Sequence, residues 1–304
     1  MIPENFLQEL LASQDLLPEQ ERALQAHKKE ITDFLRAEFG DAPVIKYAGS
    51  REKGTMIQDR YDLDIVCYFP SSDTRTLKQI RQDVSARLAK KYWIEDKTSA
   101  VRITNPKSAT APNGYHVDVV PGRFIEGTKD VFLHIAFGEK ERMQTNLKTH
   151  IDHIVNSGCV PVIRLMKLWV HRNNVNIKTF VLELFVVQSL SGSRNKNNYE
   201  KAFLGTLEAF KNEFTTLQLV DPANSNNVVS QLVSPSEKAA VAQAAQRAFD
   251  KISDSDRLAD WRAVFCEDEG GISGHITSPL AGPTIISSHP ESRGFTPRPP
   301  WCTC

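Results

Sequence analysis

The stretch Tyr47-Ala-Gly-Ser-Arg-Glu-Lys-Gly-Thr55, followed by Tyr61-Asp-Leu-Asp-Ile-Val66, decides the fold of this chain. A Gly-Ser turn precedes two alternating aspartates, Asp62 and Asp64, which lead directly into an apolar strand. Alternate residues of a strand project to the same face, so both carboxylates point away from the core. A third aspartate, Asp118, interrupts a second apolar stretch in the same way. If the two strands are neighbours, three carboxylates converge on one point.

Three converging carboxylates predict a site for divalent cations. Two negative charges about 4 Å apart repel each other by about 4 kcal/mol even at an effective dielectric constant near 20, and dications relieve that repulsion. We therefore expect Asp62, Asp64 and Asp118 to hold two Mg²⁺ ions, for which Mn²⁺ can substitute. Such a pair of ions activates an attacking hydroxyl and neutralises the leaving oxygen of a phosphoryl displacement. The alternative interpretation is that Asp-x-Asp marks only a solvated strand edge.

The Gly49-Ser50 turn predicts a site for phosphate groups. Glycine lets the backbone approach a phosphate closely, and the free N–H groups at the start of a helix attract anions. Ser50 adds a hydroxyl donor, and Lys53 can add a positive charge. Alone, the pair is compatible with a simple turn, so this prediction depends on the aspartates that follow. Together, the turn and the carboxylates indicate chemistry on a nucleoside triphosphate.

The composition excludes several classes of protein. Among 304 residues, Lys plus Arg equals Asp plus Glu at 37 each, and the pI is near 7.1, which argues against binding of long duplex nucleic acid. The five cysteines form no Cys-x-x-Cys pair, so we expect neither a disulfide framework nor a zinc site, and a cytoplasmic location. The longest apolar run, Phe180 to Val187, is too short to span a bilayer.

Hydrophobic periodicity predicts an α+β, bilobed protein. The first part reads as a mixed sheet with helices behind it, and the second part as essentially all-α. We predict a core at 1–150 with an N-terminal spine helix, a helical lobe at 151–266 that completes a cleft, and a flexible Gly/Pro/Ser/Thr-rich tail at 267–304. The predicted helices span Glu19–Phe39, Thr76–Lys91, Val160–His171, Thr179–Leu190, Ala202–Phe214 and Pro235–Ile252. The predicted strands span Val44–Tyr47, Leu63–Phe69, Lys97–Thr104 and Tyr115–Val120.

The motifs, taken in order, resemble a known family. Gly49-Ser50, Asp62-x-Asp64 and Asp118 resemble the nucleotidyltransferase signature of the polymerase-β superfamily. Three segments of the second half resemble the helical lobe of the cGAS/DncV-like nucleotidyltransferases (CD-NTases): Val162-Ile-Arg-Leu-Met-Lys-Leu-Trp169, Lys178-Thr-Phe-Val-Leu-Glu-Leu184 and Val220-Asp-Pro-Ala-Asn-Ser-Asn-Asn-Val228. The resemblance covers roughly residues 20 to 266.

The resemblance implies an activity. A ribose hydroxyl of one nucleotide attacks the α-phosphate of another and releases pyrophosphate, and a second round closes a cyclic di- or trinucleotide. In bacteria, such messengers activate an effector against phage infection (CBASS signalling). ATP is an expected substrate. The tail, which carries Phe295 and Trp301, is a candidate site for a regulatory partner or simply an undirected end.

The resemblance also implies roles for individual residues. Asp62, Asp64 and Asp118 hold the metals, and Asp118 helps to deprotonate the attacking hydroxyl. Gly49 and Ser50 contact the donor phosphates. The residues Lys167, Thr179 and Phe180 match the family's triphosphate-binding lysine, its small hydroxyl residue and its base-stacking aromatic.

The residues themselves leave other interpretations open. Lys167 shares a helix face with Arg164 and His171, and such a face can simply be solvated. Phe180 can equally be plain core, and Glu183, if buried, needs a partner, for which Arg164 is our guess. Asp221 and Asn227 favour loop stabilisation over substrate contact. Two rival functions remain: a template-independent transferase that makes linear oligonucleotides or modifies RNA or protein, and an inactive transferase-fold scaffold.

Overall fold

The computed structural model of the protein describes residues 2–106, 116–137 and 141–267. Two helices open the chain, α1 (Ile2–Ser13) and α2 (Pro18–Phe39). The predicted spine helix is therefore confirmed, with its start one residue earlier than expected. Proline suits this first position because the amide hydrogen it lacks has no partner in the first turn. Gly40 ends the helix at φ 66°, donating its N–H to the Arg36 carbonyl.

A mixed sheet forms the first lobe. Within the described residues, its central strands lie in the order β1, β2, β5, β4, β3, and β5 also pairs with β6, which pairs with β7. Strands β2 and β5 run parallel, and every other neighbouring pair in this described sheet is antiparallel. The strands are β1 (Val44–Tyr47), β2 (Leu63–Phe69), β3 (Tyr92–Asp96), β4 (Val101–Pro106), β5 (Val117–Phe124), β6 (Val131–His134) and β7 (Arg142–Thr145).

The two faces of β2 serve different purposes. Leu63, Ile65 and Cys67 are fully buried in a core shared with α2 and with α4 (Leu77–Ala89). Because successive side chains alternate, Asp64 and Val66 lie on the opposite face. The Gly-Ser turn follows β1 and opens the short helix α3 (Gly49–Lys53), as predicted.

Helices make up most of the second lobe: α5 (Leu147–Val155), α6 (Val160–Arg172), α7 (Thr179–Ser189), α8 (Tyr199–Glu213), α9 (Pro235–Ile252) and α10 (Leu258–Val264). The four helices predicted here are confirmed to within three residues at either end. A small hairpin, β8 (Val220–Asp221) and β9 (Asn224–Val228), interrupts the helices. Helix α1 buries Phe6 and Leu10 in the same core as these helices, so the chain begins on the second lobe. None of the described helices is long and apolar enough to cross a membrane.

Two predicted strands differ from the structure. The strand expected at Lys97–Thr104 begins only at Val101, because the Lys97 N–H binds the Ala100 carbonyl at 2.9 Å and closes the turn between β3 and β4. The strand expected at Tyr115–Val120 spans Val117–Phe124, and Tyr115 lies outside the described residues. The predicted tail also lies outside them, apart from Glu267. The boundary at residue 150 stays a prediction.

Candidate active site

Three charged residues stand side by side on the sheet face opposite the core. Asp64 on β2 is the register partner of Asp118 on parallel β5, and Asp118 is the register partner of Arg102 on antiparallel β4. Residues directly opposite each other on neighbouring strands project to the same side. The prediction that the two aspartate-bearing strands are neighbours is therefore confirmed. Asp62 lies at the entrance of β2, where its Oδ1 accepts the His116 N–H at 3.3 Å.

The Asp118 carboxylate is fully buried and held by Arg102. Nε and Nη2 of Arg102 donate to Oδ1 and Oδ2 of Asp118, both at 2.8 Å. These two hydrogen bonds fix the orientation of the carboxylate, and the guanidinium balances its negative charge. Hydrogen bonding to Asp118 raises the pKa of the Arg102 guanidinium, so the arginine stays charged. The sequence analysis did not include Arg102 in the site.

Asp64 sits among like charges in a poorly solvated position. Burial raises its pKa from 3.8 to about 7, and the negative charges of Asp118 and Asp62 act in the same direction. Lys53 and Lys167 oppose this shift without cancelling it. Perturbed carboxyls of this kind are concentrated at functional sites.

The Gly-Ser turn lies directly against this carboxyl. A Cβ placed on Gly49 would come within 1.7 Å of Asp64 Oδ2, and Gly49 has φ 61°, a conformation that glycine adopts without strain. The Ala48 N–H binds the Asp64 carbonyl at 2.9 Å, which ties the start of the turn to β2. Only glycine fits between the turn and the acidic face. This steric constraint alone accounts for a glycine at position 49, whether or not the turn binds phosphate.

The predicted metal trio is only partly assembled. Asp62, Asp64 and Asp118 are close enough to influence one another electrostatically. Nevertheless, no group of three His, Cys, Asp or Glu side chains in the described part of the chain has the arrangement of a metal site. The reason lies in the contacts of Asp118, since both of its oxygens are directed at Arg102. The three-carboxylate metal site stays a prediction.

A buried polar network joins the two lobes behind the turn. Glu183 of α7 is fully buried; Lys53 Nζ lies 2.7 Å from its Oε2 and Thr55 Oγ1 2.7 Å from its Oε1. Lys167 donates to the Thr55 carbonyl at 2.9 Å. Burial raises the pKa of Glu183, but the positive charges of Lys53 and Lys167 outweigh it, and the net shift is downward.

Our guess that Arg164 pairs with Glu183 is wrong. Arg164 instead donates to the Met56 carbonyl at 3.1 Å and to Asp15 Oδ1 at 2.7 Å. These hydrogen bonds connect Arg164 to the end of α1 and to the segment after α3, and not to the interior of the helical lobe. The Glu183 partner comes from the first lobe because α7 starts at the cleft and directs this side chain toward α3.

The aromatic side chain at the start of α7 is mostly buried. Phe180 is 5% exposed, Lys53 Nζ lies 5.6 Å from its ring centroid, and the His150 ring lies 5.0 Å away with a 53° tilt. His150 in turn pairs with Asp221. Asp221 also accepts the N–H of Ala223 and a hydrogen bond from Asn227, which agrees with the predicted loop-stabilising role.

A cleft of about 310 Å³ opens between the lobes. Eight of the nine predicted site residues line it, and the ninth, Asp118, is buried beneath its acidic wall. His150 and Glu183 also line the cleft, although neither was predicted as a site residue. The eight are Gly49, Ser50, Lys53, Asp62, Asp64, Lys167, Thr179 and Phe180.

Comparisons with known proteins agree with this geometry. No family model matches the chain. The chain is 26% identical over 244 residues to the cyclic AMP-AMP-AMP synthase of Escherichia coli (strain MS 115-1), covering 67% of this chain and 74% of that protein. The structure of E. coli MS115-1 CdnC with ATP superimposes with a TM-score of 0.68 at 21% identity, covering 86% of this chain and 97% of CdnC. The structure of E. coli MS115-1 CdnC in complex with HORMA-deltaN superimposes with a TM-score of 0.67 at 20% identity. The match covers 86% of this chain and 96% of that chain.

A third relative is more distant in sequence but equally similar in fold. Bradyrhizobium diazoefficiens CdnG, a CD-NTase solved with GTP, superimposes with a TM-score of 0.69 at 11% identity, covering 85% of this chain and 94% of CdnG. The fold of this chain is therefore that of the CD-NTase structures, which are nucleotidyltransferases. The chain is similar to CD-NTases in both sequence and fold, so the resemblance and the α+β bilobed fold predicted from the sequence are confirmed.

Proposed function

We propose that this enzyme joins nucleoside triphosphates, ATP among them, into a cyclic di- or trinucleotide messenger of anti-phage signalling. The observation that carries the proposal is the facing pair Asp64 and Asp118 on parallel strands, beside the Gly49 turn and within a cleft between two lobes. The similarity to a cyclic AMP-AMP-AMP synthase supports a cyclic product built from ATP.

Two Mg²⁺ ions belong to this proposal, and the donor set fits them. The candidate ligands Asp62, Asp64 and Asp118 are all carboxylates, which magnesium prefers. Burial, followed by the negative charges of Asp118 and Asp62, raises the pKa of Asp64, and a dication bound here would relieve the repulsion between these carboxylates. When bound, the ions activate a hydroxyl nucleophile and neutralise charge at the leaving oxygen.

The cationic side chains hold the triphosphate in this proposal. Lys53 and Lys167 line the cleft together with Ser50, and hydrogen bonds to Glu183 and Thr55 respectively restrain their ammonium groups. Restrained donors lose little entropy when they bind a substrate. Thr179 completes the polar wall. We assign base stacking to Phe180, whose ring is only 5% exposed and would have to be uncovered before a base could stack on it.

The chemical step is an in-line displacement at phosphorus. A bond forms between a ribose oxygen and the α-phosphorus of the donor, the bond to the bridging oxygen breaks, and pyrophosphate leaves with the electron pair. The proton of the attacking hydroxyl passes to a carboxylate, for which we propose Asp118. Arg102 uses one lone pair of each Asp118 oxygen, which leaves a second lone pair on each oxygen for the proton.

The experiment is a product analysis with the full-length protein. Purified protein is incubated with each NTP, and with all four together, in the presence of Mg²⁺, then treated with phosphatase and analysed by mass spectrometry. A phosphatase-resistant product of two or three nucleotides with no terminal phosphate supports the proposal. Phosphatase-sensitive linear chains would support the rival transferase, and no product at all would support the scaffold. The Asp62→Ala/Asp64→Ala double variant must be inactive.

Regulation by a protein partner is a further part of the proposal. E. coli MS115-1 CdnC has been solved with HORMA-deltaN, which suggests a HORMA-domain partner for this chain. The predicted partner site in the tail lies outside the described residues. The cyclic product would then act on a downstream effector. Co-purification with a candidate HORMA protein, followed by the product assay with and without it, tests this part separately.

A further inference from the structure

Arg102 stands between two carboxylates on the sheet face that carries the acidic site. It is the register partner of Asp118 on β5 and of Glu95 on β3, the two strands that flank β4. Residues that face each other on neighbouring strands project to the same side of a sheet. One row therefore crosses four strands, with a guanidinium between carboxylates: Asp64, Asp118, Arg102 and Glu95.

In the structure the guanidinium is committed to Asp118. Arg102 donates from Nε and Nη2 to the two Asp118 oxygens, and both side chains are almost fully buried. Glu95 is exposed and pairs instead with Lys97, whose Nζ lies 2.6 Å from Glu95 Oε1. Among the salt bridges of the described residues, none joins Arg102 to Glu95.

The Glu95 carboxylate is nevertheless within reach of Arg102. A hydrogen bond from Lys97 lowers the Glu95 pKa, burial opposes this shift, and the charges of Lys97 and Arg102 add to it. Cβ atoms of directly opposite residues on neighbouring strands lie about 4.5–5.5 Å apart, a distance that an arginine side chain spans. The exposed pair with Lys97 does not hold Glu95 firmly, because exposed ion pairs contribute little to stability.

The pairing with Arg102 also opposes the binding of a dication to Asp118. Asp118 is fully buried and does not line the cleft, whereas Asp62 and Asp64 do. Each Asp118 oxygen keeps a second lone pair, but a dication bound there would share its carboxylate with the guanidinium. Two positive groups on one carboxylate repel each other strongly in a poorly solvated site. The metal and the guanidinium therefore compete for Asp118.

We propose that Arg102 regulates metal loading: its guanidinium leaves Asp118 and moves to Glu95 when a dication binds the three aspartates. Without metal, the guanidinium balances the Asp118 charge and keeps the carboxylate away from the cleft. With metal, Glu95 takes over the arginine. This inference rests on the proposed function, which assigns the dications to Asp62, Asp64 and Asp118. The competing explanation is that Arg102 stays in place and orients Asp118 for the metal.

The two explanations predict opposite effects on metal binding. Mn²⁺ is titrated into nucleotide-free protein and the free ion is counted by electron paramagnetic resonance, so that the readout does not depend on catalysis. Competition predicts that Arg102→Gln binds Mn²⁺ about tenfold more tightly than wild-type protein, a typical coupling between two sites. An orienting role predicts weaker binding. Equal or weaker binding by the variant, or no Mn²⁺ binding by either protein, overturns the inference.

A double-mutant cycle tests the role of Glu95. Glu95→Gln should bind Mn²⁺ about fivefold more weakly, because the displaced guanidinium has no acceptor. The loss of a negative charge alone also weakens cation binding, and the double variant Arg102→Gln/Glu95→Gln separates the two causes. This double variant should bind Mn²⁺ as tightly as Arg102→Gln. If Glu95→Gln weakens binding equally in both backgrounds, Glu95 does not accept the arginine and the inference is overturned.

The matched control for the lost arginine charge is Arg123→Gln. Arg123 lies five positions along β5 from Asp118, about 16 Å away, and donates to the backbone carbonyls of Asp73 and Arg75. At 0.1 M salt a charge at this distance is largely screened, so the Mn²⁺ affinity of this variant should stay within about twofold of wild type.

A crystal structure of wild-type protein with bound Mg²⁺ gives a second readout that needs no variant to fold. The guanidinium should then pair with Glu95, and a guanidinium that remains on Asp118 beside the ion overturns the inference. Metal binding and synthesis are measured separately. If the protein makes no oligonucleotide but Arg102→Gln binds Mn²⁺ more tightly, the proposed function fails and the inference stands. If it makes a cyclic product without this gain in affinity, only the inference fails.

Discussion

Arg102 and Asp118 face each other on adjacent antiparallel strands and form two parallel hydrogen bonds of 2.8 Å each. The aspartate is buried and the arginine nearly so. Removing one partner of such a pair leaves an uncompensated charge in the interior, which is more costly than losing the attraction itself.

Arg102→Met should therefore lower the free energy of unfolding by about 3–5 kcal/mol, measured by urea denaturation. The double variant Arg102→Met/Asp118→Leu removes both charges and should recover most of this loss, because a well-packed apolar pair replaces a buried ion pair at little cost. It should nevertheless be inactive. If the free energy of unfolding of Arg102→Met lies within about 1 kcal/mol of the wild-type value, the pair does not stabilise the sheet.

Gly49→Ala should abolish synthesis. The added methyl group meets Asp64 Oδ2 at 1.7 Å, so either the turn or the carboxylate must move, and a displacement of about 1 Å costs on the order of 100-fold in rate. Gly127→Ala is the matched control, because Gly127 has a similar φ of 72° but nothing within 4 Å of the new Cβ. In both variants an alanine must adopt a positive φ, which costs roughly 1–2 kcal/mol. Equal activities would contradict the close-contact explanation.

Asp64→Asn should stabilise the metal-free protein at high pH while abolishing activity. The folded protein holds the Asp64 pKa near 7, well above the ordinary 3.8, so the unfolded chain ionises first. Stability contributed by this group is therefore lost as pH rises from about 4 to about 7, and the loss persists above that range. Thermal melts in EDTA at pH 5 and pH 8 should show a gain for Asp64→Asn that is clearly larger at pH 8 than at pH 5.

The control for this titration is Asp41→Asn, a change of an exposed carboxylate ahead of β1. This variant should show the same difference in melting temperature between pH 5 and pH 8 as the wild-type protein. Mg²⁺ should raise the melting temperature of wild-type protein more at pH 8 than at pH 5, because protons no longer compete for Asp64. An Asp64→Asn protein that melts below wild type at pH 8 would contradict the assigned effect of burial and of the neighbouring charges on Asp64.

Glu183→Gln should destabilise the protein far more than the loss of an exposed ion pair. Lys53 is nearly buried beside the fully buried Glu183, and without its counter-ion it keeps an uncompensated charge, at a cost of about 3 kcal/mol. Asp33→Asn breaks the exposed Lys29–Asp33 pair and should cost less than about 0.5 kcal/mol. Chemical denaturation of both variants measures their free energies of unfolding. If the two variants lose similar amounts, burial does not determine how much an ion pair contributes to stability.

Much of the fold could be predicted because the relevant signals are local. Strand β2 was predicted to the residue, since its apolar alternation is bounded by Asp62 and Pro70. Helix α9 was also predicted to the residue, because Ser234 and Glu237 form a capping box around Pro235. Helix α1 was missed although Phe6, Leu7, Leu10 and Leu11 recur at helical spacing; the helical lobe that buries them lies far away in the sequence.

The parts of the site that escaped prediction depend on long-range contacts. Arg102 becomes relevant only when the register of β4 against β5 is known, and no local pattern fixes that register. Glu183 was recognised as needing a partner, but that partner lies 130 positions away in the other lobe. His150 gains significance from Asp221, 71 positions later, which is invisible to periodicity or motif spacing.

The bridge between Lys53 and Glu183 has a consequence for synthesis of the chain on the ribosome. The strands that carry the aspartates, β2 and β5, precede α7 in the chain and therefore leave the ribosome before it. Until α7 docks, Lys53 has no counter-ion and the cleft has no second wall. A chain that ends before α7 therefore carries the acidic strands without the helix that supplies Glu183.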